Sequence, residues 1–156
     1  MDAERFIQMT RQYEKLLYHV AYSLLGSNAD CADAVQEALL AAWRARASLR
    51  DPRLIRPWLV RILINTCKSM LRKPKPIPMA QLPETSAPQV DNLPLHDALN
   101  RLEPALRLPI VLHYLEGFSI QEIAGMLGQK EGTIKTRMAR GRACLGALLS
   151  DREVEQ

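Results

Sequence analysis

Phe118-Ser119-Ile120-Gln121-Glu122-Ile123-Ala124-Gly125-Met126-Leu127-Gly128 is a short helix with both of its ends written into the sequence. Ser119 and Glu122 have capping-box spacing, so each side chain can satisfy the other's free backbone N–H. Ile120, Ile123, Ala124 and Leu127 fall on one side, and Gly128 supplies the turn that stops the helix. A second helix is expected from about Glu131 to Leu149, with Ile134, Met138, Gly141, Leu145 and Leu148 on its inner side. Thr133, Thr136 and Arg140 face the other way, with Lys135, Arg137 and Arg142 on the flanks. A short helix, a glycine turn and a longer basic helix make a helix-turn-helix, whose second helix enters the DNA major groove at its N-terminal end. The plainer alternative is a helical hairpin with a basic solvent face.

Upstream of this motif, one helix is expected through Leu95, Leu99 and Leu102. Another starts at Pro104, carries Leu108, Val111, Leu112 and Leu115 inward, is kinked by Pro109 and ends at Gly117. Six of the ten prolines, Pro74, Pro76, Pro78, Pro83, Pro88 and Pro94, lie in the preceding stretch. Proline removes a backbone donor and disfavours helix on its N-terminal side, so this stretch reads as an extended connector. The expected fold is all-α: a helical domain over 1–73, a proline-rich linker over 74–94, and a second helical domain over 95–156.

In the first domain Phe6, Met9, Tyr13, Leu17, Val20 and Leu24 recur at helical spacing, closed by Gly26. Asp30 is the expected N-cap of the next helix, with Val35, Leu39, Ala42 and Trp43 as its apolar side. A loop over Leu49 to Pro57 leads to a third helix, Pro57 to Arg72. There Arg61, Asn65, Lys68 and Arg72 form one narrow stripe opposite Leu59, Leu63, Thr66 and Met70, and Trp58 is expected to pack inward beside Leu59 and Ile62.

The charge pattern separates function classes better than the net charge of +4 does. Between Asp51 and Glu84 there is no acid, while Arg53, Arg56, Arg61, Lys68, Arg72, Lys73 and Lys75 fall there. Lys130, Lys135, Arg137, Arg140 and Arg142 form a second cluster. A solvated helix face accounts for such stripes in many proteins, but a row of Arg, Lys and Asn with no balancing acid is what phosphate and base contacts require. Aromatic content of 5% within a chain that is 47% hydrophobic favours helices over sheet.

Cys31, Cys67 and Cys144 are widely spaced and odd in number, which reads as three buried thiols rather than a disulfide framework or a metal site. His19, His96 and His113 have no nucleophile or carboxylate at catalytic spacing and no glycine-rich phosphate loop is present, so neither a catalytic residue nor a cofactor is expected. No stretch approaches the roughly 20 apolar residues of a membrane span. The expected location is cytoplasmic, without direct membrane insertion.

Three segments together resemble the extracytoplasmic-function (ECF) group of the bacterial sigma-70 family of RNA polymerase sigma factors. Asp30-Cys31-Ala32-Asp33-Ala34-Val35-Gln36-Glu37 with Trp43 resembles region 2.2. Trp58-Leu59-Val60-Arg61-Ile62 through Asn65-Thr66-Cys67-Lys68 resembles regions 2.3 to 2.4, and Leu127-Gly128 through Gly132-Thr133-Ile134-Lys135-Thr136-Arg137 resembles region 4.2. The resemblance implies a non-enzymatic subunit that directs core RNA polymerase to promoters and helps open them. Asp33, Gln36 and Glu37 are the positions that would dock on the β′ clamp helices, with region 4 near the β flap. Leu49, Arg61, Asn65, Lys68 and Arg72 match positions that hold the displaced minus-ten strand. Thr133, Lys135, Thr136, Arg137 and Arg140 match those that meet the minus-thirty-five duplex, and which of them read bases is open. The sequence departs from the family in two places: Leu49 stands where many relatives place an aromatic residue, with no glycine in the loop, and Gln129 and Lys130 replace apolar and capping residues, so that the recognition helix is expected to fray at its start. Kinship also implies control by an anti-sigma factor. The alternative is a stand-alone helix-turn-helix regulator, which would need a sensory or dimerising domain.

Overall fold

Small residues decide how the first unit packs. In the computed structural model, which describes residues 1–73 and 93–154, the regular elements of the described residues are all helical. The first unit contains α1 (Ala3–Arg11), α2 (Glu14–Leu25), α3 (Asn28–Arg44) and α4 (Ile55–Arg72). The inner face of α3 is Cys31, Ala34, Ala38 and Ala42, all buried, whereas Val35, Leu39 and Trp43 are only half-buried at its margins. This corrects the expected apolar side: α3 packs against both α2 and α4, and thin side chains at the contact let helices approach closely. Leu16, Leu17, Val20, Ala21 and Leu24 from α2 and Leu59, Val60, Leu63, Ile64 and Cys67 from α4 fill the rest of the core.

The apolar repeat from Phe6 to Leu24 is divided between two helices. The Thr10 hydroxyl donates to the Phe6 carbonyl at 2.9 Å, and Gln12 Nε2 donates to the Met9 carbonyl at 3.2 Å. Both bonds lie toward the C-terminal end of α1, whose C-cap is Gln12. Gly26 caps α2 in the left-handed conformation, φ 71°, which favours glycine. The N-cap of α3 is Ser27, whose oxygen accepts from the Asp30 N–H, so Asp30 is a first-turn carboxylate rather than the cap.

One 3-10 turn, Arg46–Ser48, precedes the expected loop and a second, Pro52–Leu54, lies inside it, and α4 begins at Ile55 rather than Pro57. Trp58 is half-buried, in contrast to the fully packed position expected of it. It lies about 160° round α4 from the buried Val60, whereas Leu59 and Leu63 point into the core.

The chain divides into compact units Met1–Ala87 and Pro88–Gln156. The expected connector lies outside the described residues, apart from Leu93 and Pro94, which open the first helix of the second unit. That unit contains α5 (Leu93–Arg101), α6 (Pro104–Ile110), α7 (Ile120–Leu127) and α8 (Glu131–Val154), the last a turn longer than expected. Just after Pro109, α6 passes into a π-helical turn, Val111–Leu115, in which the Glu116 N–H reaches the Val111 carbonyl at 3.1 Å. The extra residue in that turn shifts the register, so that Leu115 is 57% exposed instead of inward-facing. On α7, Ile123, Ala124 and Met126 are the buried residues, while Ile120 and Leu127 are half-buried.

Close contact between α6 and α8 depends on Gly141. A Cβ there would overlap Ile110 Cδ1 and lie 3.3 Å from the Leu106 carbonyl oxygen. Ile134, Met138 and Leu145 pack on either side of it. No helix of the described residues is long and apolar enough to cross a membrane.

Candidate nucleic-acid interface

α7 is held in place at both ends. Ser119 N–H donates to Glu122 Oε1 at 3.0 Å and Glu122 N–H to Ser119 Oγ at 3.1 Å, which is the reciprocal cap expected from the sequence. Gly128 adopts φ 65° and its N–H bonds the Ala124 carbonyl, ending α7. The first backbone bond of α8 runs from the Ile134 N–H to the Lys130 carbonyl at 3.2 Å.

With its inner face seated by Ile134, Met138 and Gly141, α8 turns Thr133, Thr136 and Arg140 to solvent, and Arg137 is half-buried at the edge of that face. These four side chains share roughly 100° of the helix circumference. Lys135 is exposed too, but it stands about 160° round the helix from Arg137. It shares the opposite flank with Arg142, whose guanidinium donates to the Tyr114 hydroxyl on the π turn. The structure thus brings Thr133, Thr136, Arg137 and Arg140 together and separates Lys135 from them. The Thr136 hydroxyl donates to the Gly132 carbonyl at 2.9 Å. Cys144 is exposed, contrary to the expectation of a buried thiol, because it lies on the Arg137–Arg140 side of α8 and not on the core side.

The stripe on α4 is similarly complete. Arg61, Asn65 and Arg72 are exposed and Lys68 is half-buried, with Leu59, Leu63 and Cys67 behind them. Trp58 lies within about 60° of this stripe, three residues before Arg61, and is partly open to solvent. Sequence reasoning placed that ring in the core; its helical angle relative to Arg61 and Asn65 was the signal that it belongs to the stripe.

Leu49 is half-buried in the loop before α4, its N–H bonded to the Arg46 carbonyl at 3.2 Å. Arg46 stacks over the Trp43 ring at 3.8 Å and donates to the Trp43 carbonyl, while the Phe6 ring meets Trp43 edge-on at 5.3 Å. These contacts anchor the end of α3. In the same loop Arg53 donates to both carboxylate oxygens of Asp51, at 3.2 and 3.1 Å. Those side-chain bonds, together with the Arg53 backbone N–H, hold the Asp51 carboxyl below the usual carboxylate range. The charge of Arg53 is therefore locally balanced.

Asp33, Gln36 and Glu37 project from the exposed side of α3. Leu40, 54% exposed, continues the same side by one turn, and Arg44 follows it. Leu40 did not stand out in the sequence because one exposed leucine in a helix repeat is indistinguishable from a core residue until the buried stripe is known.

Comparison with known proteins adds to this geometry. The Sigma-70 region 2 family model matches residues 9–76, and the Sigma-70 region 4 model matches residues 92–145. The chain is similar to the ECF RNA polymerase sigma factor SigM of Mycobacterium tuberculosis, 36% identical over 154 residues that cover 95% of this chain and 79% of SigM. Its structure is similar to that of the Bartonella quintana sigma factor RpoE solved with the anti-sigma factor NepR, with a TM-score of 0.77, 28% identity and coverage of 95% and 98%. It is also similar to CnrH solved with the cytosolic domain of CnrY, with a TM-score of 0.72, 28% identity and coverage of 96% and 90%.

Proposed function

Because the chain belongs to the ECF group of sigma-70-family RNA polymerase sigma factors, we propose that its two units divide the work of directing core polymerase to a promoter. The first unit docks on the β′ clamp helices through Asp33, Gln36 and Glu37, carboxylates and an amide that accept from basic partners, with Leu40 as the apolar contact beside them. Arg61, Asn65, Lys68 and Arg72 on α4 hold the phosphates and base edges of the displaced minus-ten strand, and Trp58 offers a ring on which an unpaired base can stack. Leu49 lines the loop next to that strand.

In the second unit α8 lies in the major groove of the minus-thirty-five duplex. Thr133, Thr136, Arg137 and Arg140 face the DNA, and Lys135 reaches a flanking phosphate. The residues over 74–94 tether the two units. Each grips weakly alone, and the tether raises the effective concentration of the second contact. The second unit also sits near the β flap. The protein works beside the polymerase in the cytoplasm, and an anti-sigma factor, of the kind bound by the Bartonella relative, holds it back until it is needed.

The observation that carries this proposal is the pairing of two exposed cationic helix faces, on α4 and α8, with a separate acidic face on α3. Charge reversal tests the division of labour. Asp33→Arg with Glu37→Arg is expected to abolish co-purification with core polymerase, while Arg140→Glu keeps the polymerase and loses protection of the upstream duplex. If both variants behave alike, the assignment of roles to the two units fails.

A further inference from the structure

We propose that Thr136 and Gly132 are a specificity-determining pair that accepts a thymine, adenine or cytosine edge in the upstream element and rejects guanine. This inference rests on the sigma-factor reading above and deepens it at one position.

A threonine hydroxyl has a single hydrogen, and in Thr136 that hydrogen is directed to the Gly132 carbonyl 2.9 Å away. The rotamers open to threonine within a helix keep its oxygen close to the backbone carbonyl of the preceding turn, so the hydroxyl does not swing freely outward. What remains for the groove is the methyl group and the oxygen's lone pairs. In the major groove thymine presents a methyl, adenine N6 and cytosine N4 present donors, and guanine presents only the N7 and O6 acceptors. The first three can each make a favourable contact with Thr136. Guanine sets acceptor against acceptor, unless the bond to Gly132 is broken first.

Gly132 lies beside Thr136 on the same face of α8, about 40° away. It is exposed, its φ is ordinary for a helix, and a Cβ built there meets nothing within 4 Å. Neither the fold nor the backbone therefore calls for glycine here, whereas Gly141 on the opposite face is required by Ile110 and Leu106. A bare position on the outward face allows the first turn of α8 to approach a base edge closely, which a methyl would prevent.

The full chain, bound to core RNA polymerase, is used to select promoter-length duplexes from a randomised library. The wild type is expected to enrich an upstream element with one position depleted of guanine, and Thr136→Ala is expected to relax that depletion by about tenfold. Gly132→Ala is expected to bind the selected duplex about tenfold more weakly while its melting temperature stays the same or rises, a combination that a purely structural role cannot produce. Guanine enriched at the Thr136-dependent position, or identical selections by the wild type and Thr136→Ala, would overturn the inference. Failure of the wild type to enrich any upstream element would overturn the sigma-factor reading as well, and so separates the two claims.

Discussion

Arg142 Nη1 donates a 2.8 Å hydrogen bond to the hydroxyl of Tyr114, joining residues 28 apart in the sequence and fastening the flank of α8 to the π turn. Both side chains are exposed, so the bond is modest in energy and directional in effect. It also separates Arg142 from the face that carries Arg140. Arg142→Ala is accordingly expected to leave protection of the upstream duplex unchanged. Arg140→Ala should weaken duplex binding and reduce its salt dependence by about one counterion. Binding measured over a range of salt concentrations distinguishes the two, and equal slopes for both variants would contradict the orientation of α8.

Two glycines of the same helix should respond to substitution with opposite signs. At Gly141 an added methyl meets Ile110 and the Leu106 carbonyl, whereas at Gly146 it meets nothing within 4 Å. Gly146→Ala is expected to stabilise the protein by about 0.5–1 kcal/mol through helix propensity. Gly141→Val is expected to cost about 1–3 kcal/mol by overpacking. For a domain of this size each kcal/mol shifts the melting temperature by about 4–8 °C, so thermal unfolding resolves both changes.

The thiols divide in the same physical way. Cys31 and Cys67 are buried and Cys144 is exposed. Burial, reinforced by neighbouring Cys31, pushes the Cys67 thiol from 9.0 up to about 12. Only Cys144 is expected to react with a thiol reagent in the native protein, and the other two only after denaturation. The folded state favours the protonated form of Cys67. Its contribution to stability is therefore fully present below pH 9.0 and is lost as pH rises toward about 12. Urea midpoints that fall across this window in the wild type, but fall less in Cys67→Ala, would match that expectation.

Leu40 tests the proposed docking face without altering its charge. Because its side chain is 54% exposed, Leu40→Ser should leave the melting temperature close to that of the wild type. Removal of the apolar contact beside Glu37 is expected to weaken binding to core polymerase by about 1–2 kcal/mol, measured by titration with purified core enzyme.

The features legible in the sequence were those set by neighbouring residues. The Ser119–Glu122 cap, the glycine stops at Gly26 and Gly128, and the start of α8 at Glu131 all depend on chemistry within a few positions, and each lies where the pattern put it. Features decided across the core were misread. Ala34 and Ala38 outweigh Val35 and Leu39 on α3 because two other helices press on that side. The π turn that exposes Leu115 follows from how α6 seats on its partners, which no local pattern states, whereas the angle that places Trp58 beside Arg61 follows from their spacing of three residues on α4. For the candidate site, the row Thr133, Thr136, Arg140 was readable from helical spacing alone. The diversion of Arg142 to Tyr114 required the tertiary contact.

The central claim is that this chain gives core RNA polymerase a promoter choice it lacks alone. Runoff transcription with purified core enzyme, on fragments that include the DNA upstream of the protein's own coding sequence, tests it most directly. Discrete transcripts that appear only when the chain is added, and vanish with the Asp33→Arg, Glu37→Arg double variant, are the expected result. Initiation at the same sites with and without the chain would contradict it.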